Sequence, residues 1–174
     1  MARRHIVLVG LPGSGKTTVG ELAAGRLGAP FVDLDRLIEH RAGRSVERIF
    51  AEQGEEGFRN LETEAGLAAL LSGEPAVIAP GAGWFTDPAR LGRTSELGYA
   101  IYLRTSPRIA AQRLGSHAGR PLLKGFDLTL RLAQLLQQRE AGYLQAPAAV
   151  STDELSPAEV AAEVVALARS GGGW

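Results

Sequence analysis

The sequence predicts an α/β fold, a three-layer sandwich in which helices cover both faces of a five-stranded parallel sheet. Short apolar runs alternate with stretches of helical periodicity, and the first run leads directly into a glycine-rich loop. The chain has 174 residues, 45% of them hydrophobic, which suits one folded unit with a full core. Because parallel strands need long crossover connections, the helical stretches between the apolar runs support this architecture.

Each element of this fold has its own sequence signal. Five apolar runs bounded by turn residues are the predicted strands, at residues 5–9, 30–34, 76–79, 100–103 and 148–151. Helical spacing of apolar residues predicts helices at 15–27, 55–71, 107–114, 128–144 and 158–169, the last after a Ser-Pro start. The sequence contains no repeat or linker, so we expect a single domain over residues 1–174 with a flexible tail at 170–174.

Composition and charge narrow the functional class. The formal net charge is zero, so neither nucleic acid nor an anionic membrane is an expected partner. Cysteine is absent, which excludes disulfides and thiolate metal sites. The first four residues precede a short apolar run that has neither a cleavage site nor a spanning length. We therefore expect a cytoplasmic protein, and we expect a monomer.

Residues 10–17, Gly-Leu-Pro-Gly-Ser-Gly-Lys-Thr, match a nucleoside-triphosphate phosphate loop between a strand and a helix. Glycines let successive backbone N–H groups turn toward phosphates, and the following helix presents its positive N-terminal end. Lys16 then reaches the β- and γ-phosphates, and the Thr17 hydroxyl is placed to bind Mg²⁺. A glycine-rich turn without a nucleotide is the plain alternative. The residues predicted to bind ATP here are Gly13, Ser14, Gly15, Lys16, Thr17 and Thr18.

Two carboxylates stand at the end of the second predicted strand. Asp33 and Asp35 are separated by one residue, and the alternation of side chains along a strand places both on the same side. They then lie at the carboxyl edge of the sheet, where open α/β sheets bind ligands. Asp33 is suited to hold Mg²⁺ through water, and Asp35 to accept the proton of an attacking hydroxyl. The alternative is that Asp35 caps a helix starting at Arg36.

Two segments interrupt the alternation of strands and helices. Residues 35–59 are polar and helical, and they begin a predicted substrate-binding insert over about 35–62. Residues 115–126 contain three glycines and Arg120, a composition typical of a lid that closes over phosphates and excludes water. An ordinary exposed loop is the alternative for the second segment, but the phosphate loop elsewhere in the chain favours a lid.

Arg59 and Arg139 are single arginines on two predicted helices. Two guanidinium groups that converge are suited to bind the carboxylate of a small acidic substrate. Otherwise each arginine is solvated or forms a weak surface pair, and Glu62, one helical turn beyond Arg59, is a candidate partner. The sequence alone leaves both interpretations open.

In combination, these residues resemble the shikimate kinase family over nearly the whole chain, from His5 to about Arg169. The similar segments are the phosphate loop, residues 31–35 with 38–39, 49–50 with 54–55, 58–59 with Glu62, 80–83, 120–123, and Arg139. The phosphate loop alone would identify only a superfamily. The resemblance implies a P-loop NTPase fold of the nucleoside-monophosphate-kinase type, with a helical substrate-binding insert and a mobile lid.

The activity implied by this resemblance is transfer of the γ-phosphoryl group of MgATP to the 3-hydroxyl of shikimate, a step toward chorismate and the aromatic amino acids. By position, Asp35 matches the residue that binds the substrate hydroxyls and acts as base. Arg120 matches the lid arginine that approaches the phosphates, and Arg113 matches a residue that packs near adenine. Lys16, Asp35 and Arg120 are therefore the expected catalytic residues.

The same resemblance assigns the remaining site residues. The substrate carboxylate would be held by Arg59 and Arg139, next to the turn of Gly81, Ala82 and Gly83. The Mg²⁺ environment would contain Thr17 and, through water, Asp33. The implied ligands are ATP, shikimate and Mg²⁺.

Three segments depart from the family pattern. Ala82 stands where the family usually has the second of three glycines, and this would cost about 1 kcal/mol if its φ were positive. Trp84 and Phe85 stand where smaller residues are more usual. These two aromatic side chains form either a wall of the substrate site or part of the buried core. The turn of residues 152–154, Thr-Asp-Glu, is acidic where relatives often carry a basic residue near adenine, so contacts to the base are less defined than contacts to the phosphates.

Two other functions remain candidates. A gluconate-type kinase would use the same phosphate loop, but Asp35, Arg59 and Arg139 favour shikimate. A non-catalytic, ligand-sensing module of the same fold could dispense with Asp35, Arg120 or Arg139, whereas this chain keeps all three.

Overall fold

The sheet of the protein is parallel throughout. In a computed structural model, which describes residues 2–115 and 127–174, the strands are β1 (His5–Val9), β2 (Phe31–Asp33), β3 (Val77–Ala79), β4 (Gly98–Arg104) and β5 (Ala148–Ser151). They pair in the order β2-β3-β1-β4-β5, and every pairing is parallel. The predicted five-stranded parallel sheet is confirmed, with strand bounds within two residues of the predicted ones.

Helices connect successive strands. They are α1 (Lys16–Leu27), α2 (Leu34–Ala42), α3 (Val46–Leu70), α4 (Pro88–Leu97), α5 (Pro107–Leu114), α6 (Leu128–Tyr143) and α7 (Pro157–Gly171), with a short 3-10 helix at Trp84–Thr86. Backbone angles of φ 70° and ψ −177° at Gly54 interrupt α3, so the predicted helix from 55 onward is its second half. None of the helices in the described ranges combines the length and the apolar character needed to cross a bilayer.

The sequence analysis missed α4. This helix has the composition PARLGRTSEL and buries only Arg90 and Thr94, so it lacks an apolar stripe to reveal it. Its start signal is nevertheless clear, because the Asp87 side chain accepts a hydrogen bond from the Ala89 N–H and Pro88 occupies the first turn.

The core consists of two apolar clusters, one on each face of the sheet. Val7 and Val9 of β1 belong to the cluster covered by α2, α3 and α6. Ile6 and Leu8 belong to the opposite cluster, covered by α1 and α7. Because β1 is central and buried on both faces, every residue after His5 in this strand is apolar, as expected of a parallel strand inside a three-layer fold.

The C-terminal residues, where the sequence predicts a flexible tail at 170–174, contact the N-terminal segment in the structure. The backbone N–H of Arg4 donates to the Gly172 carbonyl at 2.9 Å, and the Trp174 indole N–H donates to the Arg4 carbonyl at 2.9 Å. The Arg3 guanidinium lies 5.0 Å from the Trp174 ring centroid. The three glycines before Trp174 favour fraying, but the indole packs against the α1 and α7 cluster and anchors the terminus.

Two glycines of α1 provide a matched test of this packing. A Cβ on Gly20 would lie 2.3 Å from the Phe31 ring, whereas a Cβ on Gly25 would meet no atom within 4 Å in the described structure. We expect Gly25→Ala to raise the free energy of unfolding by about 0.5–1 kcal/mol, since alanine favours the helix. We expect Gly20→Ala to lower it by about 1–3 kcal/mol through overpacking.

Urea denaturation of both variants measures these changes. The wild-type chain is the reference, and each variant adds the same methyl group to the same helix. A stabilising Gly20→Ala would contradict the close contact between α1 and β2.

Candidate active site

The phosphate loop connects β1 to α1 in the conformation that binds anions. Gly13 and Gly15 have φ values of 80° and 93°, which residues with a side chain rarely adopt. A Cβ on Gly13 would also lie 2.5 Å from the Ala110 carbonyl oxygen. Gly15 is the N-cap of α1 and brings no side chain to cap the helix. The first-turn N–H groups of α1 therefore remain available to phosphate oxygens.

Lys16 lies over this loop. Its Nζ donates hydrogen bonds to the carbonyl oxygens of Gly10 at 2.7 Å and Leu11 at 2.9 Å. The ammonium group is thus held at the loop, on the strand-to-helix turn where the sequence places the β- and γ-phosphates. A flexible lysine stem allows the charge to follow a phosphoryl group during transfer.

The end of β2 meets the phosphate loop through two oxygen-bearing side chains. The Thr17 hydroxyl donates to Asp33 Oδ2 at 2.5 Å. Within the described residues, no group of three or more His, Cys, Asp or Glu side chains could hold a metal by itself. Hydroxyl and carboxylate oxygens suit Mg²⁺, which usually keeps several waters and binds one or two protein oxygens together with substrate phosphates. Thr17 and Asp33 therefore fit the Mg²⁺ environment.

Asp33 and Asp35 reach the site by a different route from the predicted one. Strand β2 ends at Asp33, and Asp35 lies in the first turn of α2, so strand alternation does not align them. The capping alternative is also wrong, because Asp33 is the N-cap and accepts a hydrogen bond from the Arg36 N–H at 3.1 Å. This cap ends the strand at Asp33, one residue earlier than predicted, and still leaves both carboxylates on one cavity.

A cavity of about 530 Å³ lies at the carboxyl edge of the sheet. Eleven of the residues predicted for the site line it: Gly13, Ser14, Gly15, Lys16, Thr17, Thr18, Asp33, Asp35, Gly81, Ala82 and Arg113. Its other lining residues include four from the turn after β5 and from α7, which the sequence analysis did not assign: Thr152, Leu155, Pro157 and Val160. The cavity is continuous from the phosphate loop to the turn after β3.

Arg113 is fixed at one end of this cavity by the turn after β5. Its guanidinium donates to the Thr152 hydroxyl at 2.9 Å and to the Thr152 carbonyl at 2.7 Å. The buried Thr105 and Thr152 hydroxyls are 2.6 Å apart. One of the two acidic residues of this turn also has a structural partner, since Asp153 Oδ1 accepts a hydrogen bond from the Ser106 N–H at 2.9 Å. This end of the cavity combines a planar cation with apolar side chains, a combination suited to an aromatic ring.

Arg59 lies against the turn after β3. A Cβ on Gly83 would be 3.2 Å from Arg59 Nη2, and a Cβ on Gly81 would be 2.0 Å from Glu62 Oε1. Arg59 Nη1 donates to Glu62 Oε2 at 2.9 Å. The pair suggested from helical spacing is therefore present, but Glu62 is fully buried and the pair is not a weak surface contact.

Tyr143 is influenced by both Arg59 and Arg139, whose relative position the sequence leaves open. Its hydroxyl donates to the Ala82 carbonyl at 2.6 Å. Burial raises the pKa of Tyr143 to about 12, while the nearby charges of Arg139 and Arg59 act in the opposite direction. Both guanidinium groups are thus near enough to affect the ionisation of one phenol beside the turn, an arrangement suited to two cations that share a carboxylate. The sequence analysis missed Tyr143, although it stands one helical turn after Arg139.

The structure answers two questions raised by the departures from the family. Throughout the described ranges every positive φ belongs to a glycine, so Ala82 has a negative φ and carries no such strain. Trp84 and Phe85 are buried at 1% and 3% exposure, which supports the core interpretation over a substrate wall. Arg120 and the predicted lid beyond Gly115 lie outside the described residues.

Comparison with known proteins identifies the family of the chain. The family model described as shikimate kinase matches residues 12–169. A shikimate kinase of Symbiobacterium thermophilum is 45% identical over 165 residues, covering 92% of this chain and 94% of that protein. The structure of shikimate kinase from Acinetobacter baumannii in complex with shikimate matches with a TM-score of 0.91 at 34% identity, covering 97% and 94% of the two chains. A gluconokinase from Sinorhizobium meliloti matches with a TM-score of 0.64 at 20% identity, over 98% and 94%, which indicates a shared fold alone.

The raised pKa of Tyr143 predicts a pH dependence of stability. A folded-state pKa of about 12 exceeds the unfolded value, so the contribution of Tyr143 is fully present below about pH 10 and is lost as the pH rises toward 12. We expect a loss of roughly 1–1.5 kcal/mol by pH 11, and we expect this loss to be missing in Tyr143→Phe. Urea unfolding at pH 8, 10 and 11 measures it, with Tyr99→Phe as a control. An alkaline loss of equal size in Tyr143→Phe would refute this assignment.

Proposed function

The chain belongs to the shikimate kinase family, and we propose that it transfers the γ-phosphoryl group of MgATP to the 3-hydroxyl of shikimate. One observation carries this proposal: the phosphate loop, Asp35, Gly81 and Ala82 line one cavity, with Arg59 beside the turn of residues 81–83. A phosphate donor and an acidic acceptor can therefore bind side by side.

ATP would bind with its phosphates on the loop and its base near Arg113. Residues 13–18 offer backbone N–H groups and the Lys16 ammonium to the phosphate oxygens. The base would lie between the guanidinium held on Thr152 and the apolar side chains of Leu155 and Val160. When bound at Thr17 and Asp33, Mg²⁺ would neutralise charge on the β- and γ-phosphates.

Shikimate would bind at the other end of the cavity. Its carboxylate would pair with Arg59 and Arg139, both near the Tyr143 hydroxyl. Gly81, Ala82 and Gly83 would form the adjacent wall, and the Tyr143 bond to the Ala82 carbonyl supports that wall. Holding the acid end in this way directs the ring hydroxyls toward Asp35 and the phosphate loop.

In the chemical step, the 3-hydroxyl oxygen would attack the γ-phosphorus as the bond to the β–γ bridging oxygen breaks and ADP leaves. Asp35 would accept the hydroxyl proton on a carboxylate oxygen. Lys16 would stay on the phosphoryl oxygens as their charge shifts toward the leaving group. We also propose from the family resemblance that Arg120 approaches the same oxygens, although it lies outside the described residues. We propose further that one chain suffices as a monomer and acts in the cytoplasm, where ATP is available.

An acceptor panel tests the proposal directly. ADP release from MgATP is measured with shikimate, quinate, gluconate and no acceptor. We expect release with shikimate and a fall in kcat of at least about 100-fold in Asp35→Asn, because the general base is lost. Release with gluconate alone would indicate a gluconate-type kinase. Binding of shikimate without any release would indicate a sensing module.

Two arginine variants separate binding from catalysis. We expect Arg59→Ala to raise the KM for shikimate by roughly 10- to 100-fold, since it removes a charged ligand of the carboxylate. Arg120→Ala should mainly lower kcat, because its proposed contact strengthens during transfer. Arg93→Ala, which removes an exposed arginine paired with Glu96, is the neutral control. Steady-state kinetics on all three measure the split, and an unchanged KM in Arg59→Ala would remove Arg59 from the substrate site.

A further inference from the structure

Behind Arg59 lies a buried carboxylate that two arginines share. Glu62 Oε2 accepts hydrogen bonds from Arg59 at 2.9 Å and from Arg90 at 3.3 Å. The Glu62 side chain is fully buried, and the Arg90 side chain is 10% exposed. Arg59 faces the proposed shikimate site, whereas Arg90 approaches Glu62 from α4. The buried group therefore contains two positive charges and one negative charge.

The position of Arg90 is fixed by its neighbours. Its guanidinium lies 5.2 Å from the ring centroid of Trp84. The indole N–H of Trp84 donates to the Thr94 hydroxyl at 3.0 Å, which in turn donates to the Arg90 carbonyl at 2.8 Å. Gly66 leaves room for this ring, since a Cβ there would lie 2.1 Å from it. Trp84, one of the departures from the family pattern, thus has a defined partner.

The other acidic groups near these arginines are exposed. Asp87 is 3.4 Å from Arg90 with 41% of its side chain exposed, and Glu55 is 3.6 Å from Arg59 with 57% exposed. Water and salt screen these two carboxylates, whereas the Glu62 charge is screened far less. Apart from Arg139, which the proposed function also places at the substrate carboxylate, the charges that set the field at this end of the site are therefore mainly those of Arg59, Glu62 and Arg90.

We propose that Arg90 is a positioning and specificity residue for the acid end of the substrate, acting through Glu62. This inference rests on the proposed function, in which Arg59 binds the shikimate carboxylate. If Arg59 and Glu62 were alone, they would form a neutral pair, and an incoming carboxylate would meet the Glu62 charge. Arg90 balances that charge, so Arg59 keeps a net positive field for the substrate. By holding Glu62 from the far side, Arg90 also fixes the Arg59 guanidinium against the turn of residues 81–83.

The test compares shikimate with its carboxamide, a neutral analogue of the same shape. The ratio of kcat/KM for the acid to kcat/KM for the amide reports on charge recognition, and it does not depend on the fraction of folded enzyme. We expect Arg90→Gln to lower this ratio about tenfold, the effect of one lost charge interaction. The KM for ATP should stay within about twofold, because Arg90 does not line the cavity that contains the phosphate loop. Arg93→Gln, an exposed arginine of the same helix, is the matched control and should leave the ratio unchanged.

Glu62 variants separate charge from packing. Arg90→Gln/Glu62→Gln leaves Arg59 as the single buried charge, so the ratio should return toward the wild-type value. If Arg90→Gln does not fold, the comparison is made between Glu62→Gln and the double variant, which leave no unbalanced buried carboxylate. We then expect the ratio in Glu62→Gln to be about tenfold higher than in the double variant, since Arg90 still contributes its charge in the single variant.

The outcomes distinguish this inference from the proposed function. If the wild-type chain does not phosphorylate shikimate, the proposed function fails. If it does and Arg90→Gln lowers kcat/KM equally for acid and amide, Arg90 acts only in packing and the inference is wrong. A ratio unchanged by loss of Arg90 in both backgrounds would overturn it as well.

Discussion

The parallel pairing of β1, β2 and β3 is the constraint on which the site depends. Parallel strands end at the same edge of the sheet, so whatever follows each strand is brought to one place. The phosphate loop follows β1, Asp33 ends β2, and the turn of residues 81–83 follows β3. A phosphate donor and its acceptor can meet because three segments that are far apart in the sequence share one edge.

The two ends of the cavity are built from different interactions. At the end proposed to bind the nucleobase, neutral threonine hydroxyls and a backbone carbonyl hold Arg113, next to apolar side chains. At the end proposed to bind the substrate carboxylate, the buried carboxylate of Glu62 pairs with Arg59. The burial of Glu62 is tolerated because Arg90 provides a second positive partner. A buried carboxylate without such partners would be strongly destabilising. The acid end thus has the greater electrostatic cost, and this matches its proposed task of discriminating a charged substrate.

Most of the fold could be predicted from the sequence, because apolar runs, helical spacing and the phosphate loop are local patterns. The phosphate-loop residues and Asp35 were assigned to the site for the same reason. The errors have physical causes. Helix α4 buries an arginine and a threonine and so has no apolar stripe, and the choice of Asp33 as the N-cap depends on a single hydrogen bond. The proximity of Arg59, Arg139 and Tyr143 depends on how α3 and α6 pack, which no local pattern encodes. The docking of Trp174 against the N-terminal segment is likewise a tertiary contact.

The central claim is that the cavity directs one hydroxyl of an acidic ring toward the γ-phosphate. Phosphorus NMR of the product from ATP and shikimate tests it most directly, because the coupling between phosphorus and the ring protons identifies the modified oxygen. The account predicts a single phosphate ester coupled to the proton on C3. A phosphate on another oxygen, or free phosphate with unmodified shikimate, would contradict it.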